Sequence, residues 1–181
     1  MSTTSYVTDA ATLGTGLLLG RLIFGVLMVA HGGQKLFGWL GGYGIAGTAG
    51  YFEQLGFRPG RLFVITASVS EALSGILIAL GLFGPVAPAL LLSVMIVAAV
   101  SVHWKGGLFA ATNGIEVPLL YATGALALAF TGPGPFSLDT ILGIDQTWTP
   151  ALKLAAVAVG VVGGVVNLQA RRRSADVAAT A

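Results

Sequence analysis

Residues 21–37 read RLIFGVLMVAHGGQKLF, and this stretch decides the fold. It begins on Arg21, continues through an apolar run, and ends on His31, Gln34 and Lys35. Its hydrophobicity is that of a membrane span, where an unpaired charge costs at least about 2.5–3.5 kcal/mol. We therefore expect Arg21 to have a partner on another helix.

The composition indicates a chain that is surrounded by lipid. Of its 181 residues, 55% are hydrophobic and 9% are charged, whereas a soluble domain carries roughly 25% charged residues. Because one span takes about 20 residues, the length suits a single helical bundle. The net charge of +2 gives no indication of a nucleic-acid partner. The chain has no cysteine, which excludes disulfides, thiol redox chemistry and iron–sulfur ligation by its own residues.

The apolar segments predict an all-α, polytopic membrane helical bundle of five spans. We place the spans at about 13–37, 62–83, 85–102, 116–131 and 150–168. The fourth is short, which a thin or tilted neighbourhood accommodates. Together they form a single membrane domain at 13–169, between a polar N-terminal tail at 1–12 and a basic, then disordered tail at 170–181. The first twelve residues have no Lys or Arg, so we expect a retained tail and not a cleaved signal.

Glycines and cations refine this arrangement. Small residues at 16, 20 and 25 predict close approach of another helix to the first span. With five spans, seven of the nine Lys and Arg residues fall at one end of the bundle, namely Lys35, Arg58, Arg61, Lys105, Arg171, Arg172 and Arg173. The positive-inside rule makes that end cytoplasmic, with the N-terminus outside and the C-terminus inside. A four-span arrangement would place the last three arginines outside, against the rule.

Two connecting segments are long enough to hold further structure. Between 41 and 60, one apolar helical face is formed by Ile45, Ala49, Phe52 and Leu55. This spacing predicts a short helix in the membrane interface, and an ordinary loop is the alternative. The segment at 132–145, GPGPFSLDTILGID, predicts a Pro/Gly turn followed by a second interfacial segment.

Arg21 and Glu71 are the first candidate pair. Counted from the span centres at about 1.5 Å per residue, they lie in neighbouring layers near the midplane. A guanidinium can donate two bonds to one carboxylate. One interpretation is that the pair has a structural role alone and joins the first span to the second. The other is that it has a functional role, as ionisable groups in membranes commonly do.

A second polar group is predicted near the cytoplasmic end. His31, Gln34 and Lys35 share a helix face. The candidate catalytic residues are His31, Glu71, His103, Glu116 and Tyr121, and the candidate substrate-binding residues are Gln34 and Lys35. A histidine and a tyrosine near a carboxylate could bind the oxygens of a quinone head group and pass protons. Alternatively, Lys35 and His103 only extend to the interface, and Glu116 only complements a helix N-terminus.

Cofactors receive little support from the sequence. His31 and His103 could ligate a haem between spans, but a similar depth is all that favours it. There is no Cys/His metal spacing, phosphate-binding loop or nucleophile triad. We therefore assign no metal and no resident cofactor, and treat quinone as a substrate.

The run RLIFGVLMVAHGGQKLF, with GIAGTAGYFEQLGF, SEALSGILIALGLF and NGIEVPLLYATGALALAFTGPGPFSLD after it, resembles the DoxX family of small bacterial membrane proteins. The resemblance covers about Gly20 to Leu142. Its matching positions are Arg21, Gly25, His31, Gly32, Lys35, Gly47, Thr48, Glu71, Asn113, Glu116, Tyr121, Gly132, Gly134, Ser137 and Asp139. The family core is a four-helix unit, so the fifth span is an addition to it.

The resemblance implies a membrane component of an oxidoreductase in the bacterial cell membrane. Some relatives are described as the membrane part of a thiosulfate:quinone oxidoreductase, and others as partners in a complex that handles superoxide and thiol stress. We therefore expect a quinone-linked oxidoreductase subunit, and whether the chain is itself an enzyme stays open. The alternatives are a non-catalytic anchor for a soluble redox protein on the cytoplasmic side, and a small-solute transporter. The lack of an inverted repeat counts against the transporter.

Overall fold

The structure, a computed structural model, describes residues 10–171, so the predicted tails at 1–9 and from 172 onward lie outside it. Within these residues the helices are α1 (Ala10–Phe37), α2 (Gly44–Gln54), α3 (Gly60–Leu80), α4 (Val86–Ala98), α5 (Glu116–Thr131), α6 (Leu138–Ile141) and α7 (Pro150–Gln169). A π-helix, Ala99–His103, continues α4.

Four of these helical segments are long and apolar enough to cross a membrane: Ala11–Phe37, Gly60–Leu80, Val86–Gly106 and Pro150–Gln169. Helix α5 is a shorter apolar helix. Large apolar side chains point outward, and Val26 on α1 and Val159 on α7 are 62% and 71% exposed. Such a surface needs lipid around it. The predicted helical membrane bundle is confirmed, with four long helices and one shorter one.

Helices α1 and α3 form the most extensive helix–helix contact among the described residues. A Cβ atom added at Gly25 would lie 2.5 Å from the carbonyl oxygen of Gly75, and one added at Gly32 would lie 2.6 Å from that of Ser68. The predicted close approach of another helix is confirmed at Gly25. It is wrong at Gly16 and Gly20, which have nothing within 4 Å of an added Cβ. These two glycines lie on other faces of α1 than Gly25 and Gly32, so α3 does not approach them.

The four long helices and the shorter helix α5 alternate in direction along the chain. Helix α7 lies parallel to α4, because Gly160 packs on Ala89 and Gly164 on Ile96. At its end, the Nε atom of Arg171 donates a hydrogen bond to the carbonyl oxygen of Leu55, just after α2. The ends of α1, α4 and α7 therefore share one end of the bundle with the starts of α3 and α5. We call it the basic end, because it holds Lys35, Arg58, Arg61, Lys105 and Arg171; the other is the opposite end.

The two connecting segments differ in how much helix they form. The helix predicted between 41 and 60 is confirmed as α2, which packs on α3, and its place in the membrane interface stays a prediction. Its Glu53 carboxylate accepts a hydrogen bond from the backbone N–H of Gly60 at 3.0 Å. In the 132–145 segment, only the four residues of α6 are helical, and Ser137 caps them by accepting from the N–H of Thr140.

A substitution at Gly25 tests the close contact between α1 and α3. We expect Gly25→Leu to destabilise the protein by about 1–3 kcal/mol, because the added side chain must push the two backbones apart. Gly16→Leu is the matched control on the same helix, and we expect it to leave stability unchanged. Thermal unfolding of both variants in the same detergent measures this. Equal melting temperatures for the two variants would contradict the packing described here.

Candidate functional site

A cavity of about 300 Å³ occupies the half of the bundle nearer the basic end. Its walls come from α1, α2, α3, α4 and α5, with Asn167 of α7, and its surface is mainly apolar. Six of its lining residues carry ionisable side chains: His31, Lys35, Tyr51, Glu71, His103 and Tyr121. The cavity therefore brings together four of the five candidate catalytic residues and one of the two candidate binding residues.

The charged centre of the cavity is an ion pair between Lys35 and Glu71. The Nζ atom of Lys35 lies 2.6 Å from Oε2 of Glu71, and the lysine also donates to the carbonyl oxygen of His31 at 3.3 Å. The glutamate side chain is 8% exposed and the lysine side chain is 26% exposed. Because the carboxylate is buried among apolar helices, this short charge-assisted bond provides its neutralising charge.

The predicted ion pair between Arg21 and Glu71 is wrong. The guanidinium of Arg21 donates instead to the carbonyl oxygens of Phe136, at 2.5 Å, and Ala79, at 3.5 Å. The prediction counted depth from span centres. Helix α1 extends beyond α3, so Arg21 lies past the level of Gly25, while Glu71 lies level with the region around Gly32.

Asp139 holds the opposite end together, a role that the sequence analysis missed. This fully buried carboxylate accepts hydrogen bonds from the backbone N–H groups of Phe83 (2.7 Å) and Gly84 (2.6 Å) and from the indole of Trp148 (2.9 Å). It also interacts electrostatically with Arg21. The group thus ties the α3–α4 turn to the segment before α7. The local signal in the sequence is that Asp139 follows the helix-capping residue Ser137 by two positions, which distinguishes Asp139 from an ordinary charged loop residue.

The π-helix at the end of α4 shapes one wall of the cavity. Wide turns of this kind occur frequently at functional sites. Here the π-helix contributes Ser101, Val102 and His103 to the lining. The Nδ1 atom of His103 lies 3.1 Å from the carbonyl oxygen of Asn113. Because a carbonyl only accepts, we assign the proton to Nδ1, which leaves Nε2 as an acceptor in the neutral ring.

Several polar groups of the cavity have no partner in the described part of the chain. The Oγ atom of Ser101 is buried without a hydrogen bond. The rings of His31 and Tyr121 meet edge to face, with centroids 6.1 Å apart. Neither forms a side-chain hydrogen bond with a residue between 10 and 171. These groups could therefore bind the oxygen atoms of a ligand. Ser101 was not a candidate, because a lone serine in an apolar span gives no sequence signal.

Glu116 and Gln34 do not line the cavity, so the expectation that they share the pocket is wrong. The carboxylate of Glu116 accepts the backbone N–H of Ala110 at 2.7 Å, and the amide of Gln34 donates to the carbonyl oxygen of Leu40 at 3.5 Å. Both side chains turn toward connecting backbone at the basic end. Glu116 therefore orders the loop that precedes its own helix, and the alternative that it complements the N-terminus of that helix stays a prediction.

Metal and haem binding depend on which ligands come together. No group of three or more His, Cys, Asp or Glu side chains placed for a metal ion occurs among residues 10–171. His31 and His103 line the same cavity, and the expectation that they do not ligate a haem stays a prediction.

Comparison with known proteins identifies a matching family. A family model described as DoxX matches residues 16–104, from the first turns of α1 to the end of the π-helix. The match includes the cavity residues of α1 to α4 and stops before Tyr121 and α7. It is shorter than the resemblance read from the sequence, which extended to Leu142. No curated protein and no solved structure matches the chain.

A double-mutant cycle distinguishes the observed ion pair from the predicted one. We expect Lys35→Met and Glu71→Gln to couple by about 0.5–3 kcal/mol, because each removes the other's partner. Arg21→Met and Glu71→Gln have no shared partner, so we expect their effects to add. Thermal unfolding of the single and double variants measures both couplings. Coupling in the arginine cycle without coupling in the lysine cycle would refute this arrangement.

Proposed function

The chain belongs to the DoxX family, and from that membership we propose that it is the membrane subunit of a quinone-linked oxidoreductase or redox-stress complex of the bacterial cell membrane. One observation carries the proposal: an apolar cavity collects an ion pair, two histidines and a tyrosine at one end of the bundle. Ligand sites combine apolar walls with a few convergent polar groups in this way. Quinone head groups offer what such a site needs, namely an apolar ring with two acceptor oxygens.

In this proposal the cavity residues have separate roles. The ammonium of Lys35 and the hydroxyls of Tyr121 and Ser101 donate hydrogen bonds to the quinone oxygens. His31 and Glu71 relay protons from the basic end, each accepting a proton before it passes one on, since both lie beside the lysine. Reduction to the quinol forms one O–H bond at each ring oxygen, which takes two electrons and two protons. The chain has no cysteine, so the electrons come from a redox group on a soluble partner protein.

A second candidate function is that of a non-catalytic anchor for such a partner. Exposed aromatic side chains at the basic end favour it, among them Trp104, which is 66% exposed, and Phe109, which is 65% exposed. They lie on the connection between α4 and α5, near the cationic residue Lys105. This candidate needs no chemistry in the cavity, so the two functions differ in their dependence on Glu71.

Two cavity variants test the quinone proposal. We expect Glu71→Gln and His31→Ala to lower quinone-dependent turnover by about 100-fold or more, because each removes a proton-transfer group. Glu116→Gln is the control, since this side chain lies outside the cavity and glutamine keeps an acceptor for Ala110. Turnover is measured in membranes with equal amounts of each variant. Full activity in both cavity variants would remove the cavity from the chemistry and favour the anchor.

We also propose that the basic end faces the cytoplasm, because its cations follow the positive-inside rule. The chain has no cysteine, so single-cysteine variants report the orientation. We expect Gln146→Cys, at the opposite end, to react with a membrane-impermeant maleimide in intact cells. Lys105→Cys, at the basic end, should react only after lysis. The reverse labelling pattern would overturn this orientation.

A further inference from the structure

The cavity continues well beyond its charged centre. Along α4 its wall includes Leu90, Ser93, Val97 and Ser101. These positions are three or four residues apart, so they form one stripe along the helix. At about 1.5 Å per residue the stripe is about 16 Å long, which is about half the depth of a bilayer core. A quinone ring fills only a part of that length.

Helix α3 provides a second stripe opposite the first. Phe63, Thr66, Ala67 and Ser70 line the cavity, and their spacing of three, one and three residues places them on one helix face. Three of these side chains are small, so they leave open space between α3 and α4. None of the four carries a charge, and Thr66 is exposed on the outer surface of the bundle.

Helix α7 lies on the other side of this space. It packs along α4 through Gly160 and Gly164, and its Asn167 lines the cavity. The main helix contacts join α4 to both α3 and α7, but α3 and α7 are not among the helix pairs that pack together. A cleft therefore lies between α3 and α7 with α4 as its floor. Helix α2 and the hydrogen bond from Arg171 to Leu55 close it at the basic end.

We propose that this α3–α7 cleft is a lateral portal, in which the isoprenoid tail of the quinone extends from the cavity into the bilayer. This inference rests on the proposed function, because the ion pair and its neighbours hold the head group. Uncharged walls and small side chains suit a branched hydrocarbon chain. One wall, α7, lies outside the residues 16–104 that match the family. The additional helix of this chain thus completes the tail site.

Photocross-linking locates the tail directly. The full-length protein is placed in lipid nanodiscs with a benzoquinone whose isoprenoid tail carries a diazirine near its end. After illumination, mass spectrometry identifies the labelled peptides. We expect labels on α3 near 63–70, on α4 near 90–97 and on α7. Labels on the lipid-facing side chains of α1, such as Ile23 and Val26, would overturn the portal. So would equal labelling of the cleft by a phospholipid with a diazirine in its acyl chain, because the tail would then have no preference for it.

Variants that fill the cleft test its role in binding. We expect Ala67→Phe to weaken binding of the long-tailed benzoquinone by about tenfold, because the new ring occupies the tail's space. Binding of the tailless benzoquinone should stay within about twofold. Val69→Phe is the matched control on α3, since Val69 faces outward and is 46% exposed. Ser93→Phe repeats the test from α4 if the first variant does not fold. Equal losses for both ligands, or no loss for either, would overturn the portal.

A third ligand separates this inference from the proposed function. It carries the same diazirine-labelled tail on a simple alcohol in place of the quinone. If both ligands label the cleft and Glu71→Gln affects neither, the portal stands and the quinone function fails. If turnover depends on Glu71 while tail labels scatter over the lipid-facing surface, the function stands and the portal fails.

Discussion

The arrangement of the site depends on the neutralisation of one buried carboxylate. Glu71 lies among apolar helices, and its Oε2 atom is 2.6 Å from the ammonium of Lys35. Close to this pair, α1 and α3 approach each other at Gly32, where an added Cβ would lie 2.6 Å from the carbonyl oxygen of Ser68. An unneutralised charge at this depth would cost several kcal/mol. The glycine contact and the ion pair therefore support one another, and the position of His31 beside the lysine follows from both.

The two ends of the bundle use their polar groups differently. At the opposite end, Asp139 receives three hydrogen bonds from backbone and indole donors. Such a satisfied network stabilises a turn and leaves little capacity for a ligand. At the basic end, the side chains of Ser101 and Tyr121 form no hydrogen bond with any residue between 10 and 171, and both line a cavity of about 300 Å³. Stability and ligand binding are thus assigned to separate ends of the same helices.

The site also combines two parts of the chain. The family match covers residues 16–104 and includes the ion pair and both histidines. Helices α5 and α7 lie outside it and supply Tyr121 and Asn167 to the same cavity. The charged centre therefore belongs to the part shared with the family. Tyr121 and one wall of the proposed portal come from helices outside the matched residues, so ligand preference in this chain would depend on both parts.

The sequence by itself determined the helices, because hydrophobicity and its spacing are properties of each segment alone. The five apolar segments and the helix at Gly44–Gln54 could all be predicted in this way. Only the tertiary structure decided which side chains pair. The pairing depends on the levels at which neighbouring helices meet, and this is a property of the whole bundle. Arg21 lies level with Ala79, about two turns of α3 away from Glu71, so Lys35 pairs with Glu71 in its place. The widened turn at Ala99–His103 and the inward position of Ser101 depend on packing, and no local pattern indicates them.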